Sequence, residues 1–293
     1  MDPQELLERR IAELGERIDS LERNVEALCS LTKHPVEKLL WQLGFPVMSH
    51  GGGAQLLFPP GIINSSLSRF YGMMRRYSFR LFLRDLIQIP EGNDLGALTH
   101  YCSLRTVGSY LETLAAMGIV SFTNEGYRLI RKVPSFGRTL EWYVCEILRR
   151  EFLAPALFNV KLGNTRLGGD YDVISVVAGH LVYVEVKSSP PRGVEQQAVE
   201  AFLERLKDLG PSMAVLLVDT ELRMSDKLVP LLAGGLEREG KKGPDWAVER
   251  LVNELFHVRH SIYVTNSRKG IYSNLRTCFR DFLLKEGQGR QTW

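Results

Sequence analysis

At 293 residues, 44% apolar and 24% charged, with a net charge of +3, the chain has the composition of a globular protein of about two domains plus an appendage. Those are ordinary globular values, and a net charge this small does not announce a nucleic-acid binder. No apolar run reaches ~18 residues and the first residues are acidic and amphipathic, so a soluble, cytoplasmic protein without membrane contact is expected.

In chain order, residues 1–30 repeat leucine every seventh position (Leu7, Leu14, Leu21, Leu28), with Ile11, Ile18 and Val25 between them. β-Branched residues at a and leucine at d favour a parallel two-stranded coiled coil, with Arg17 and Glu22 attracting across the seam, so a homodimer is expected. A single amphipathic helix folded back on its own chain is the competing reading. The segment carries eight acidic against four basic residues, a net charge of −4 that disfavours phosphate contact. Residues 31–73 read as a connector: a short helix from Pro35 to Leu43, then breaks at Gly51-Gly52-Gly53 and Pro59-Pro60-Gly61. No Gly-Lys-Ser/Thr follows the glycines, so they are no phosphate loop.

Residues 74–134 predict three helices and a hairpin. Phe79, Leu81, Phe82, Leu86 and Ile87 mark the first helix. Asn93 or Asp94 caps a second over Leu95, Leu98 and Tyr101, and Ser103 caps a third from Leu104 to Met117. The strands lie at 119–122 and 127–130, either side of Asn124-Glu125-Gly126. This order resembles a winged-helix domain, in which the third helix usually enters the DNA major groove. The resemblance makes Arg105, Thr106, Ser109 and Tyr110 candidate DNA contacts, with Arg128 and Arg131 near the wing. Eight basic against five acidic residues give this segment a net charge of +3. Winged helices also act as protein adaptors, and that reading stays open.

Residues 135–293 predict the α/β core. Leu140, Val144, Ile147, Leu148 and Phe152 form one apolar helical arc containing Glu141. Glu146 falls on the far side with Arg149 and Arg150, as a solvated residue. Glu151 also projects towards the arc. A strand around Phe158 to Lys161 precedes two β-branched runs that flank Ala178-Gly179, a hairpin signal. A turn centred there pairs residues whose numbers sum to 357, placing Val177 against His180 and Asp172 against Glu185. Facing carboxylates repel unless positive charge sits between them. Lys187 shares the face of Glu185 and lies across from Asp170. A helix from Gly193 to Leu209, a buried strand from Met213 to Val218, mostly helix over 220–256 with a loop at 240–244, a strand from Ser261 to Thr265 and a helix from Leu275 to Leu284 complete a mixed sheet with helices on both faces.

Asp172 on one strand and Glu185-Val186-Lys187 on the next resemble the signature of the PD-(D/E)XK nuclease superfamily, which includes archaeal Holliday-junction resolvases and Mrr-like endonucleases. Gly137-Arg138-Thr139-Leu140-Glu141 resembles the Gly-x-x-x-Glu helix that many members carry. Gly169-Asp170 stands where the superfamily name has Pro-Asp. The resemblance implies a restriction-endonuclease-like core with catalytic Glu141, Asp172, Glu185 and Lys187. It implies Mg²⁺ or Mn²⁺ held by Asp172, Glu185, the Val186 carbonyl and Glu141, with Asp170 and Gln197 as accessory groups. The implied activity is metal-dependent hydrolysis of DNA phosphodiesters by an endonuclease or structure-specific nuclease. The competing functions are a DNA-binding regulator with an inactive nuclease-like domain and a dimeric scaffold. Cys29, Cys102, Cys145 and Cys278 show no Cys-x-x-Cys spacing and read as reduced thiols. His257 and His260 read as a structural pair on a helix rather than as ligands.

Overall fold

The two β-branched runs close on each other as their alternation requires. β6 (Asp170–Val177) and β7 (His180–Lys187) pair antiparallel, with Val177↔His180 through Val173↔Val184 in register. Ala178 and Gly179 both adopt positive φ, at 50° and 83°. Two left-handed residues in a two-residue loop match the right-handed twist of the strands. An alanine there costs roughly 1–2 kcal/mol, so Ala178→Asn is expected to stabilise the protein by about 1 kcal/mol in urea unfolding.

The structure is a computed structural model. It describes residues 34–124, 126–188 and 193–287, together with positions 10, 14–17, 20 and 21. Most of the heptad segment therefore lies outside the described residues. Of its leucines, Leu14 and Leu21 are described and exposed.

An eight-stranded mixed sheet organises the chain. Its order is β1 (Val47–Ser49), β5 (Ala156–Leu162), β6, β7, β8 (Met213–Val218), β11 (Ile262–Thr265), β10 (Leu255–Val258) and β9 (Glu249–Val252). β8 runs parallel to both β7 and β11, and the other pairings are antiparallel. Helices cover both faces. One face packs against α5 (Gly137–Glu151) and α8 (Ile271–Glu286). The other packs against α1 (Pro35–Gln42), α6 (Gln196–Leu209) and α7 (Leu228–Arg238). Among the described residues no helix is long and apolar enough to cross a membrane.

The 74–134 segment has α3 (Tyr77–Gln88), a 3₁₀ turn at Leu95–Leu98 capped by Asp94, α4 (Leu104–Ala116) capped by Ser103, and a hairpin of β3 (Val120–Thr123) and β4 (Gly126–Leu129). The expected second helix is thus only a 3₁₀ turn. A short β2 (Glu91–Gly92) joins β4 as a third strand. The segment shares its core with the large sheet: Phe79, Phe82, Leu111 and Leu114 belong to one apolar cluster with Leu140, Val184, Val215 and Phe279.

Two further expectations are corrected. Residues 31–73 hold more than a connector: Val47 pairs with Leu162, Leu56, Leu57 and Phe58 are buried, and α2 (Asn64–Met74) follows. Residues 220–256 are not mostly helical. Only α7 forms there as an α-helix, and β9 and β10 make a hairpin whose turn uses a left-handed Asn253. His257 accordingly lies on β10 and His260 in the following turn, not on a helix. Their rings stack 3.9 Å apart, and Asp281 binds His260 Nδ1 at 2.7 Å.

Candidate active site

The hairpin that frames the site opens at its functional end. Backbone pairing of β6 with β7 stops at Val173↔Val184. The Val186 N–H then donates to Asp172 Oδ2 at 2.7 Å, a side chain taking the place of a ladder carbonyl. The strand also changes facing at this level. Tyr171 belongs to one apolar cluster and Val173 to the other, although residues two apart on a regular strand share a face. On the neighbouring β5, Phe158 and Val160 divide in the same way about Asn159, whose φ is 51°. Asp172 therefore does not confront Glu185 across one face, as simple alternation predicts. Its carboxylate stands in the gap between the two strands.

Glu185 projects from the face that carries Tyr183 and is 1% exposed. Tyr183 Oη donates to its Oε2, Lys187 Nζ to its Oε1 at 2.6 Å, and Arg205 Nη1 from α6 lies 3.5 Å from Oε2. Glu141 comes from α5 on the opposite face, inside the apolar arc, and is clamped by Arg138 Nη1 at 2.6 Å. Arg138 also reaches Asp170 at 3.5 Å, so Asp170 pairs with Arg138 and not with Lys187. The acids are close enough to repel. Burial, then Glu185 and Glu141, push the Asp172 carboxyl well above the usual carboxylate range, against the opposing pull of the Val186 N–H and Lys187. Burial likewise lifts Glu141, to about 7, although Arg138 opposes it and Glu185 and Asp170 add to it.

Among the described residues no three His, Cys, Asp or Glu side chains stand together at metal-binding spacing. Each acid is held by a protein partner instead. The donor set still fits a hard divalent cation in chemistry. Glu141, Asp172 and Glu185 offer only oxygen, and burial that disfavours the charged form of Asp172 and Glu141 is a penalty a bound cation would offset.

Gln197 lies exposed on the first turn of α6 and is not turned into this cluster. Glu146, expected to be solvated, is buried beneath Arg149 and Arg150, which bond it at 3.1 and 2.6 Å. Glu151 accepts from Tyr71 Oη at 2.8 Å.

Of the proposed DNA contacts, Arg105 and Ser109 are exposed on one face of α4 and Thr106 is half-buried. Tyr110 is buried against Phe79 and Phe82, with its hydroxyl 3.4 Å from Ser78 Oγ, and is withdrawn from any ligand. Arg128 pairs with Glu91 at 3.2 Å, and Arg131 donates to the Gly53 carbonyl.

Sequence reasoning missed Tyr183, Arg205 and Arg138, and also a buried joint beside the site. Asp219, 0% exposed just after β8, accepts from Arg80 Nε at 3.0 Å and Nη2 at 2.8 Å, from Arg84 Nη2 at 2.6 Å and from Ser267 Oγ. Its own N–H donates to the Lys187 carbonyl at 2.8 Å. Burial alone would raise the Asp219 carboxyl, but the guanidiniums of Arg80 and Arg84 outweigh it and hold the pKa below the usual value.

No family model matches the sequence, and no curated protein matches it. Several solved structures resemble the fold, two of them as follows. Protein VC1899 from Vibrio cholerae aligns with a TM-score of 0.45 at 18% identity, over 70% of this chain and 56% of its own. Can2 from Sulfobacillus thermosulfidooxidans, in complex with cyclic tetra-adenylate, aligns with a TM-score of 0.44 at 14% identity, over 83% of this chain and 61% of its own. The chain thus spans less than two thirds of the length of either.

Proposed function

We propose that this protein is a metal-dependent DNA nuclease that hydrolyses phosphodiester bonds. The observation that carries this reading is the open end of the β6–β7 hairpin. There Asp172 stands between strands, Lys187 lies beside Glu185, and burial, with the neighbouring carboxylates adding to it, raises Asp172 and Glu141. The sequence resemblance to the PD-(D/E)XK superfamily supports the same assignment. Asp172 and Glu185 would hold Mg²⁺ or Mn²⁺, joined by Glu141 and the Val186 carbonyl. Such an ion, when bound, acidifies a water and offsets charge developing on the phosphate. Lys187 is 29% exposed on its side chain, enough to meet a substrate oxygen while Glu185 steadies its ammonium. There it would orient the attacking water and neutralise developing negative charge. Arg205 and Tyr183 orient Glu185 from behind.

The test is cleavage of labelled single-stranded, duplex, flap and junction DNA by purified protein. Cleavage is expected with Mg²⁺ or Mn²⁺ and not in EDTA; no cleavage of any substrate with either ion removes the enzyme reading. Stability provides an independent readout. Glu141 is raised to about 7, so its folded form prefers the protonated acid. Metal-free stability from this group is full below the unfolded carboxylate pKa and is lost as pH rises through about 7. Mn²⁺ is therefore expected to raise the unfolding midpoint more at about pH 8 than at about pH 5.5, where protons occupy the acids. An equal rise at both would exclude binding at these carboxylates.

The winged-helix reading of residues 74–134 is proposed with Arg105 and Ser109 as its DNA face. Arg105→Ala is expected to weaken DNA binding severalfold and lower the salt slope by about 1 with the fold intact, as for loss of one phosphate contact. Identical binding curves would move the interface elsewhere. A DNA-binding regulator with an inactive nuclease-like domain is favoured by one observation, that each site carboxylate already has a protein partner. The cleavage assay separates the two readings.

A further inference from the structure

The parallel strands end level with one another: Lys187 pairs with Val218, and Leu217 with Thr265. The loops leaving β8 and β11 therefore rise from the same sheet edge as Lys187, about 5–10 Å along it at one to two strand spacings. Between them lies a cavity of 540 Å³ lined by Arg223, Arg250, Arg268 and Lys269, with Glu254 and Asn253. A second cavity of 240 Å³ shares Arg268, Lys269 and Asn253 and extends the groove past Ser273, Asn274 and Thr277.

The charge in this groove is unbalanced. Arg250 bonds Glu254 at 3.3 Å and the Asn253 carbonyl at 2.5 Å. Arg223, Arg268 and Lys269 have no carboxylate within ion-pair distance among the described residues. Three like charges gathered without counter-ions repel, unless an anion joins them. Their loops are braced from within. Glu254 accepts the Met224 N–H at 2.7 Å, fixing the loop of Arg223. Asn266 Oδ1 accepts the Arg268 N–H at 3.1 Å, and Asn274 Nδ2 donates to the Arg268 carbonyl at 2.9 Å. The cations stand on ordered backbone, which reduces the entropy lost when a ligand binds.

We infer that this groove binds the phosphodiester backbone of the DNA strand that runs from the site at Lys187. The inference rests on the nuclease reading for the identity of its ligand. Arginine forks and an ammonium suit phosphate oxygens, and the asparagine amides and hydroxyls at the far end add neutral donors.

Binding of fluorescein-labelled duplex and single-stranded DNA to the full chain in EDTA, across a range of salt, tests it without cleavage. Arg268→Gln with Lys269→Gln is expected to weaken binding about tenfold near 0.1 M salt. It should also reduce the slope of log K against log [salt] by roughly 1.5–2, two phosphate contacts at ~0.7–0.9 each. Should that pair lower the unfolding midpoint, Arg223→Gln on the other loop decides, with an expected slope change of about 0.7–0.9. Affinity and slope equal to wild type, or no DNA binding by wild type, overturns the groove. Loss of affinity in these variants alongside a wild type that cuts nothing would sustain the groove and sink the nuclease reading. Metal-dependent cleavage with unaltered binding in the variants would do the reverse.

Discussion

Asp172→Ala and Lys187→Ala proteins are expected to lose metal-dependent cleavage by at least about 10²–10⁴-fold while still binding DNA, the range associated with losing one positioned acid–base group. The two losses have different origins. Asp172 carries the carboxylate in the strand gap, and its removal also frees the Val186 N–H from its acceptor. Lys187 carries the ammonium nearest to Glu185. Asp172→Asn is the sharper variant, since its amide oxygen can still accept from Val186 while the charge is gone. Quantified product formation at saturating Mn²⁺, with DNA affinity measured in parallel, checks all three. Undiminished cleavage by either alanine variant would place the chemistry elsewhere.

Asp219→Ala is expected to destabilise the protein by ~3–5 kcal/mol, because it strands the buried Arg80 guanidinium and unpairs the partly exposed Arg84. Arg80 is 1% exposed and gives two of its nitrogens to Asp219 and a third to the Met74 carbonyl at 2.7 Å. The folded pKa of Asp219 is depressed, so its contribution is fully present above the unfolded carboxylate pKa and is lost only as pH falls through the depressed value. The gap between wild type and variant should therefore persist at neutral pH and close only in strong acid. Urea unfolding at both pH values measures it. A gap under ~1 kcal/mol at neutral pH would show the pair to be no more than a surface ion pair in energy.

The hairpin was legible because two apolar runs either side of Ala178-Gly179 admit one register that keeps both faces apolar. α5 was legible because Leu140, Val144, Ile147 and Leu148 keep a helical period, and that period also turned Glu141 inward. Tyr110 was legible too, and the expectation for it was wrong. Val107, Tyr110, Leu111 and Leu114 follow the i, i+3, i+4, i+7 spacing of a buried face, whereas Arg105 and Ser109 share the opposite one. The Arg80–Asp219 joint was not legible, since charged residues 139 positions apart carry no local signal of meeting. The change of facing at Asp172 was hidden for a related reason. A strand period assumes regular pleating, and Asn159 breaks it from the neighbouring strand.

Because α3 is bolted to the end of β8, and the Asp219 N–H in turn holds the Lys187 carbonyl, the helix that would read DNA has no tether on which to swing. The protein would behave as a fixed caliper. If α4 grips DNA as proposed, the phosphate at Lys187 would lie at one set offset, and that offset would belong to the fold rather than to the base sequence.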